Sequence, residues 1–441
     1  MLKRMAGYID VIVIGAGHSG LAMSAVLSEH GIDHVILERS EVGSSWRTQR
    51  WDSLRLLTPN WLTRLPGYSY PGDADGYMTG AQLRGFLANY AKWVTAPVIS
   101  NTTVLRVTHD DAGYRVATSE GDWRCRALVL ATGAFNQPET PRFAQGIPHR
   151  IHQIHALSYR NPALLPPGRV LIVGGSATGV QLAHEIQQSG RPVTLAVGEH
   201  VRMPRTYRGR DIQWWMLASG LLERRIESEG DPERARRVPS PQLGGTPGLT
   251  LDLNTLRAHG TEIVGRLVGI RDGKAQFSGS LRNTCTLADL KLNRLLDTFD
   301  RWLEGRGRAF GIAAPERFAA TAVDEPARLG IDLREDVRTV IWATGYRPDY
   351  SWLELPVVNE KGELKHDRGI VDAPGLYVLG LPYLRRRKSS FIHGAEDDAR
   401  ELAAHLAQFL DGSEVGRSGS CIAPRSLPSS LPMTSTQRVG T

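Results

Sequence analysis

Cysteine is scarce in this chain, and the three present, Cys125, Cys285 and Cys421, stand far apart. No disulfide framework and no metal-ligand spacing can be built from them, which favours a reducing, cytoplasmic setting. His149, His152 and His155 recur at every third residue, but no acid or cysteine accompanies them, so the reading is no metal. Long apolar runs are missing as well: no stretch of 18 uninterrupted apolar residues exists, which excludes a transmembrane helix and integral membrane contact. A basic run interleaved with aromatics is also lacking. The net charge of +7 therefore suits an anionic cofactor better than nucleic acid. The basic Met1–Arg4 and the apolar residues after it resemble a secretory leader, but Asp10 and His18 interrupt the pattern. The segment reads better as the entry to a glycine turn.

That turn is the strongest signal present. Ile9, Val11, Ile12, Val13 and Ile14 form the continuous apolar run of a parallel strand covered on both faces. Gly15, Gly17 and Gly20 then fit G-x-G-x-x-G: one glycine for the tight turn, one for backbone approach to a pyrophosphate, one for close packing of helix on strand. The helix predicted next runs to about His30 and stops at Gly31. A second strand, HVILE, ends at Glu38, where a carboxylate accepts hydrogen bonds from ribose hydroxyls.

The pattern recurs. Arg169 to Val173 reads as a strand, and Gly174, Gly175, Ser176, Ala177, Thr178 and Gly179 as a turn with serine in the middle glycine position. A helix to about Ser189, Gly190 and the strand PVTLAV follow. No acid ends that strand. Instead Glu199 comes late and arginines follow, of which Arg202 and Arg205 are candidates to clasp the 2′-phosphate of NADPH, while Glu199 leaves room for NADH. Two turns with different strand ends imply two dinucleotides, FAD on the first and NADPH on the second.

Further motifs stand in order: GSSWR (43–47), RWDSLRLLTPN (50–60), ALVLATGA (127–134), VIWATGY (340–346) and GLYVLGL (375–381). Together they resemble the class B flavin-dependent monooxygenases, of flavin-containing monooxygenase type, over roughly 8–410. The resemblance implies an α/β fold with two Rossmann-like domains, the NADPH domain inserted in the FAD domain. The expected boundaries are 1–165 for the N-terminal part of the FAD domain, 166–335 for the NADPH domain with an insertion at about 203–330, 336–410 for the C-terminal part of the FAD domain, and 411–441 for a disordered tail rich in Ser, Pro, Gly and Thr. Residues 97–130 read as a meander of short strands, and 287–303 as an amphipathic packing helix.

By the same resemblance, His18, Ser19, Arg39, Ser45, Trp46, Val104, Ala131, Thr132, Gly133, Thr344, Gly345 and Gly380 join the two turns and Glu38 in binding cofactors. The family places an asparagine near the flavin, where this chain has Thr58, with Asn60 two residues on. Its fingerprint before the NADPH unit, F-x-G-x-x-x-H-x-x-x-Y/F, is met in part by His155 and Tyr159, with Ile151 where glycine is expected. Tyrosine instead of tryptophan argues against the Baeyer–Villiger branch. The basic run RRRKSSF (385–391) precedes the last helix, whose N-terminus the resemblance places at the flavin edge, and the run itself reads either as a solvated charged stretch or as the counterpart of an acidic substrate. The implied reaction is monooxygenation: NADPH reduces FAD, dioxygen forms a C4a-(hydro)peroxyflavin, and one oxygen atom enters a small organic substrate by N- or S-oxygenation or hydroxylation. No cysteine pair follows the first turn, which disfavours disulfide reduction. A reductase or oxidase passing electrons to a partner or to dioxygen, and a flavoprotein sensor, stay open, as does a homodimer.

Overall fold

A computed structural model of the chain describes residues 5–305 and 311–412. Two sheets organise it, the first with a parallel centre and antiparallel additions. The first has the strand order Val98–Ile99, His34–Leu37, Met5–Ile14, Gly121–Leu130, Leu376–Val378, Ile370–Val371, His366–Asp367, with the meander Val104–Asp110 and Gly113–Thr118 folded back on Gly121–Leu130. The second is five-stranded and wholly parallel: His152–His155, Val337–Trp342, Arg169–Val173, Val193–Val197, Glu262–Gly265. The first unit is completed by residues from beyond position 366, so the second unit is inserted in it.

Burial explains the unbroken apolar strands. Val170, Ile172 and Leu195 pack with Val180 and Ile186 of the helix Ala177–Gln188 on one face of the second sheet. Leu171, Val173 and Ala196 pack with Phe277 and Leu333 on the other. Both faces are covered, so alternation has no place. In the first unit, the helices His18–Glu29 and Ala395–Leu410 lie against each other over a core containing Ile12, Leu128, Leu376 and Leu402.

The strand pairing moves both expected boundaries. His152–His155 and Val337–Trp342 lie in the second sheet, whereas the divisions at 165 and 335 put them with the first unit. A short buried strand reads the same in either sheet, and only pairing over long sequence distance decides. The chain crosses between units at Gln137–Pro138 and returns at Tyr346–Arg347, and these two crossings pair antiparallel with each other. The amphipathic helix is present as Leu281–Glu304, longer than its sequence signal, burying Cys285, Ala288, Leu292, Leu296 and Phe299 at helical spacing. The expected tail at 411–441 falls, from residue 413 on, outside the described residues, as does Cys421.

The insertion is also tied to the first unit at its far end. Residues 222–226 run beside 385–388: Ile226 N donates to the Arg385 carbonyl at 2.8 Å, and Arg387 N to that of Arg224 at 3.0 Å. Arg225 and Arg385 reach Glu401 at 3.1 and 2.6 Å, and Lys388 reaches Asp397 at 2.6 Å. The basic run RRRKSSF is therefore a clamp between units. Its cations are spent on Glu223, Glu229, Asp397, Asp398 and Glu401, which overturns the expectation that it receives an acidic substrate.

Candidate functional site: two glycine cradles and the seam between them

At the first turn Gly15 has φ +107°, and a Cβ there would stand 2.6 Å from the Ala131 carbonyl oxygen. A Cβ on Gly20 would stand 1.9 Å from the Gly15 oxygen, so helix and strand touch backbone to backbone. A Cβ on Gly17 would meet nothing within 4 Å. The open side of the turn lies there, at the start of a helix with no side-chain cap and no acid in its first turn. Its free N–H groups suit a phosphate. Two buried atoms beside it, His18 Nε2 and Ser19 Oγ, have no hydrogen-bond partner among the described residues. Burial also lowers the His18 pKa to about 4, so the ring is neutral at neutral pH. Glu38 accepts from Ala16 N at 2.8 Å and Ser40 N at 3.0 Å, which fixes its carboxylate with lone pairs left for a ribose.

Most expected residues of this unit converge on the turn. Gly43 N bonds to the Ala16 carbonyl at 3.3 Å, which brings Ser45 and Trp46 alongside. Ala131 N bonds to the Ile14 carbonyl at 2.9 Å, so Ala131, Thr132 and Gly133 leave the sheet beside Gly15. A Cβ on Gly380 would meet Ser19 Oγ at 2.5 Å. Thr102 N bonds to the Glu38 carbonyl at 2.9 Å, and Val104 follows two residues on. Arg39 is exposed just beyond Glu38. A dinucleotide with a pyrophosphate and a ribose fits this set.

The second turn repeats the geometry. Gly174 has φ +117° and faces the Ala343 oxygen, and a Cβ on Gly179 would stand 1.7 Å from the Gly174 oxygen. Ser176 makes no capping hydrogen bond. Each A-T-G segment thus lies against the first glycine of its own turn, and Thr344 and Gly345 belong to the second. Gln242, unmarked in the sequence, donates from Nε2 to the Gly175 carbonyl at 2.7 Å and leaves a buried Oε1 unpartnered.

The arginine assignment fails. Arg202 is buried, gripping Asp252 at 2.8 Å, Asp289 at 2.6 Å and the Ala319 carbonyl at 2.8 Å. Arg205 is fully buried, donating to Asp211 at 2.8 Å, Leu57 O at 2.9 Å and Gly244 O at 3.2 Å, with Tyr77 stacked at 5.0 Å. Arg202 has no donor face left for a 2′-phosphate, and Arg205, with only Nε unpartnered, is shut away from the surface. Arg266 stands instead at the second strand end, its side chain on the open side of Gly198, with Lys291 nearby on Glu199 at 2.9 Å.

The four expected catalytic residues do not meet. Asn60 is buried and spent: Nδ2 donates to the Asp73 carbonyl at 2.7 Å, and Oδ1 accepts from Met78 N at 2.9 Å. Its amide ties a loop and is not free for a flavin. Tyr159 is buried in the second unit's core with Trp51 and Leu54. Burial, with Glu185 beside its hydroxyl, drives its pKa far up, so it exchanges no proton near neutrality. His155 ends its strand within 3.3 Å of Thr140 Oγ1 on the crossing segment, and burial lowers its pKa. Thr58 is partly exposed, its hydroxyl without a partner among the described residues, next to the Leu57 carbonyl that Arg205 grips. Arg205 therefore fixes the loop carrying Thr58 beneath the insertion.

Comparison with known proteins fits this architecture. A family model described as pyridine nucleotide-disulphide oxidoreductase matches residues 12–216. An uncharacterized CzcO-like oxidoreductase of Geobacillus kaustophilus is 30% identical over 401 residues, 90% of this chain and 98% of its own length. Indole-3-pyruvate monooxygenase YUCCA6 of Arabidopsis thaliana is 33% identical over 222 residues, 47% of this chain and 52% of the plant protein. Among solved structures, a flavin-containing monooxygenase from Stenotrophomonas maltophilia superposes with a TM-score of 0.61 at 23% identity, covering 92% of this chain and 99% of that one.

Proposed function

The chain belongs to the CzcO-like oxidoreductase family, and on that premise we propose that it is an NADPH-dependent FAD monooxygenase acting on a small organic molecule, with dioxygen as co-substrate. The observation that carries this reading is the pair of open glycine cradles on one inserted framework with no thiol, among the described residues, at the first of them. Cys125 and Cys285 lie in apolar cores, and burial pushes their pKa values up to about 12 and about 11. Among the described residues, electrons that arrive at the first cradle meet no protein disulfide there. The monooxygenase named among the relatives, and the fold shared with a solved monooxygenase, support the same reading.

Bound FAD supplies hydride acceptance from NADPH and reactivity toward dioxygen. The protein's part is placement. The helix N-terminus at His18 holds the FAD phosphates, and Glu38 the ribose. Ser176 and the helix after it hold the NADPH phosphates, with Arg266 at the 2′-phosphate. The insertion, pinned by Arg205 to the Leu57 carbonyl, covers the Thr58 loop and excludes water. Thr58 would present its hydroxyl to the bound flavin. Nitrogen, sulfur and hydroxylatable carbon centres are the target classes. No helix among the described residues is long and apolar enough to cross a membrane.

Rapid mixing of the NADPH-reduced protein with dioxygen tests the reading. A near-ultraviolet absorbance transient that precedes the oxidised flavin spectrum, longer-lived with NADP⁺ present, is expected. Direct reoxidation without a transient would refute it and favour an oxidase or reductase.

A further inference from the structure

Arg50 differs from five buried or half-buried arginines of the insertion and of the clamp between the units. Arg202, Arg205, Arg208, Arg385 and Arg386 each hold an aspartate or glutamate at 3.2 Å or less. Among the described residues, no carboxylate forms an ion pair with Arg50. Its one side-chain hydrogen bond is from Nη1 to the carbonyl of the adjacent Gln49, at 2.7 Å, and its guanidinium lies 5.1 Å over the Trp46 ring. The surroundings are dry enough that burial lowers its pKa, and the one charge-related influence on it comes from Tyr346. A desolvated cation without a counter-ion is costly unless an anion arrives.

The position of this cation points to the anion. Arg50 belongs to the first unit, directly after the short helix Ser45–Thr48. Trp46 beneath it and Tyr346 beside it both pack on the core of the second unit. The Tyr346 hydroxyl lies beside Thr178, the second residue of the helix that starts at the second glycine turn. The Arg50 main chain is fixed in place: Arg160 donates to its carbonyl, and Asp52 N bonds to the Arg160 carbonyl at 2.9 Å. A first-unit guanidinium is thus held at the mouth of the second cradle, whose helix has no acid in its first turn.

We propose that Arg50 is the counter-charge to the pyrophosphate of the dinucleotide seated on the second turn, reaching it across the seam between the two units. This rests on the reading of that turn as the nicotinamide-dinucleotide site. It adds that the site is composite: the second unit alone lacks one of its phosphate ligands, and binding ties the units together. The contact is shared by NADPH and NADH, because both carry the pyrophosphate, whereas Arg266 faces only the 2′-phosphate.

The test compares wild type, Arg50→Gln and Arg50→Lys as purified, FAD-loaded proteins. NADP⁺ and NAD⁺ binding to the oxidised protein is measured by calorimetry, and flavin reduction by NADPH and NADH by anaerobic mixing. Loss of a charge-assisted contact predicts dissociation constants raised by about ten- to a hundredfold for Arg50→Gln, by similar factors for the two nucleotides, with FAD content unchanged. Arg50→Lys, which keeps the charge but loses the fork, recovers part of the affinity. Unchanged affinity, a loss confined to the 2′-phosphorylated nucleotides, or a loss of FAD instead would overturn the proposal. If Arg50→Gln fails to fold, the same comparison on the folded Arg50→Lys decides it, with equal weakening for both nucleotides expected and none refuting. A wild type that binds neither nucleotide would overturn the parent reading and this one with it, and is told apart from failure of this proposal alone by the wild-type titration.

Discussion

Gly17→Leu separates what the fold needs from what the cofactor needs. At Gly17 the backbone has φ −81° and ψ −176°, a conformation open to any residue, and a Cβ would meet nothing within 4 Å. The unliganded protein should tolerate the change: a less favourable helix cap costs about 0.5–1 kcal/mol, and the smaller unfolded-state entropy returns about 0.4–1 kcal/mol. The pyrophosphate loses its approach to the turn. Saturating FAD at a hundred times its dissociation constant stabilises by about 2.7 kcal/mol, or about 5–10 °C in Tm for a unit of 150–250 residues. That increment should vanish in the variant while the Tm of the flavin-free protein moves by no more than about 2 °C. Gly20→Ala is the contrast, because its Cβ would stand 1.9 Å from the Gly15 oxygen. The helix must then lift off the strand, at a cost of about 1–3 kcal/mol or more with or without flavin. Thermal melts with and without added FAD, together with flavin absorbance per protein, read both outcomes. Wild-type flavin retention in Gly17→Leu would refute the placement of FAD at this turn.

Three further outcomes follow from the geometry. Arg266→Ala should raise the KM for NADPH about tenfold or more and leave that for NADH unchanged, whereas Arg202→Ala should lower the Tm instead, because Asp252 and Asp289 lose their buried partner; steady-state kinetics and melting of both variants check this. Thr58→Val keeps shape and removes the hydroxyl, so hydrogen peroxide released per NADPH consumed should rise about two- to tenfold, measured with a peroxidase-coupled assay. Burial raises the Asp398 pKa from 3.8 to about 6. The folded state therefore holds the proton more tightly, and this stabilisation, about 3 kcal/mol at most, is complete below pH 3.8 and lost as pH rises through 6; Asp398→Asn should melt higher than wild type at pH 7.5 and lose that advantage toward pH 4.

Sequence made legible those features whose causes are local. Gly15, Gly20, Gly174 and Gly179 are demanded by contacts within one strand–turn–helix, so their spacing carried the information. Glu38 was legible because the strand that presents it is adjacent. Arg202 and Arg205 misled for the opposite reason: they follow the second strand closely, but their partners Asp252, Asp289 and Leu57 are distant in sequence and present no local pattern. Asn60 lies near the expected position, yet the Asp73 and Met78 backbone groups that claim its amide are fixed only by loop folding. The role of Arg50 depends on what is missing around it, and a missing counter-ion has no sequence signature.

The paired crossings at Gln137–Pro138 and Tyr346–Arg347 give the chain a modular character. The chain between them departs from and returns to one point beside the first unit, so the second unit is in topological terms an enlarged hairpin loop. A short turn grafted across that point would rejoin the ends without breaking a strand of the first sheet. The seam is thus the natural boundary for recombination, where a second unit of different nucleotide preference can be exchanged by cutting the chain twice at nearly the same place.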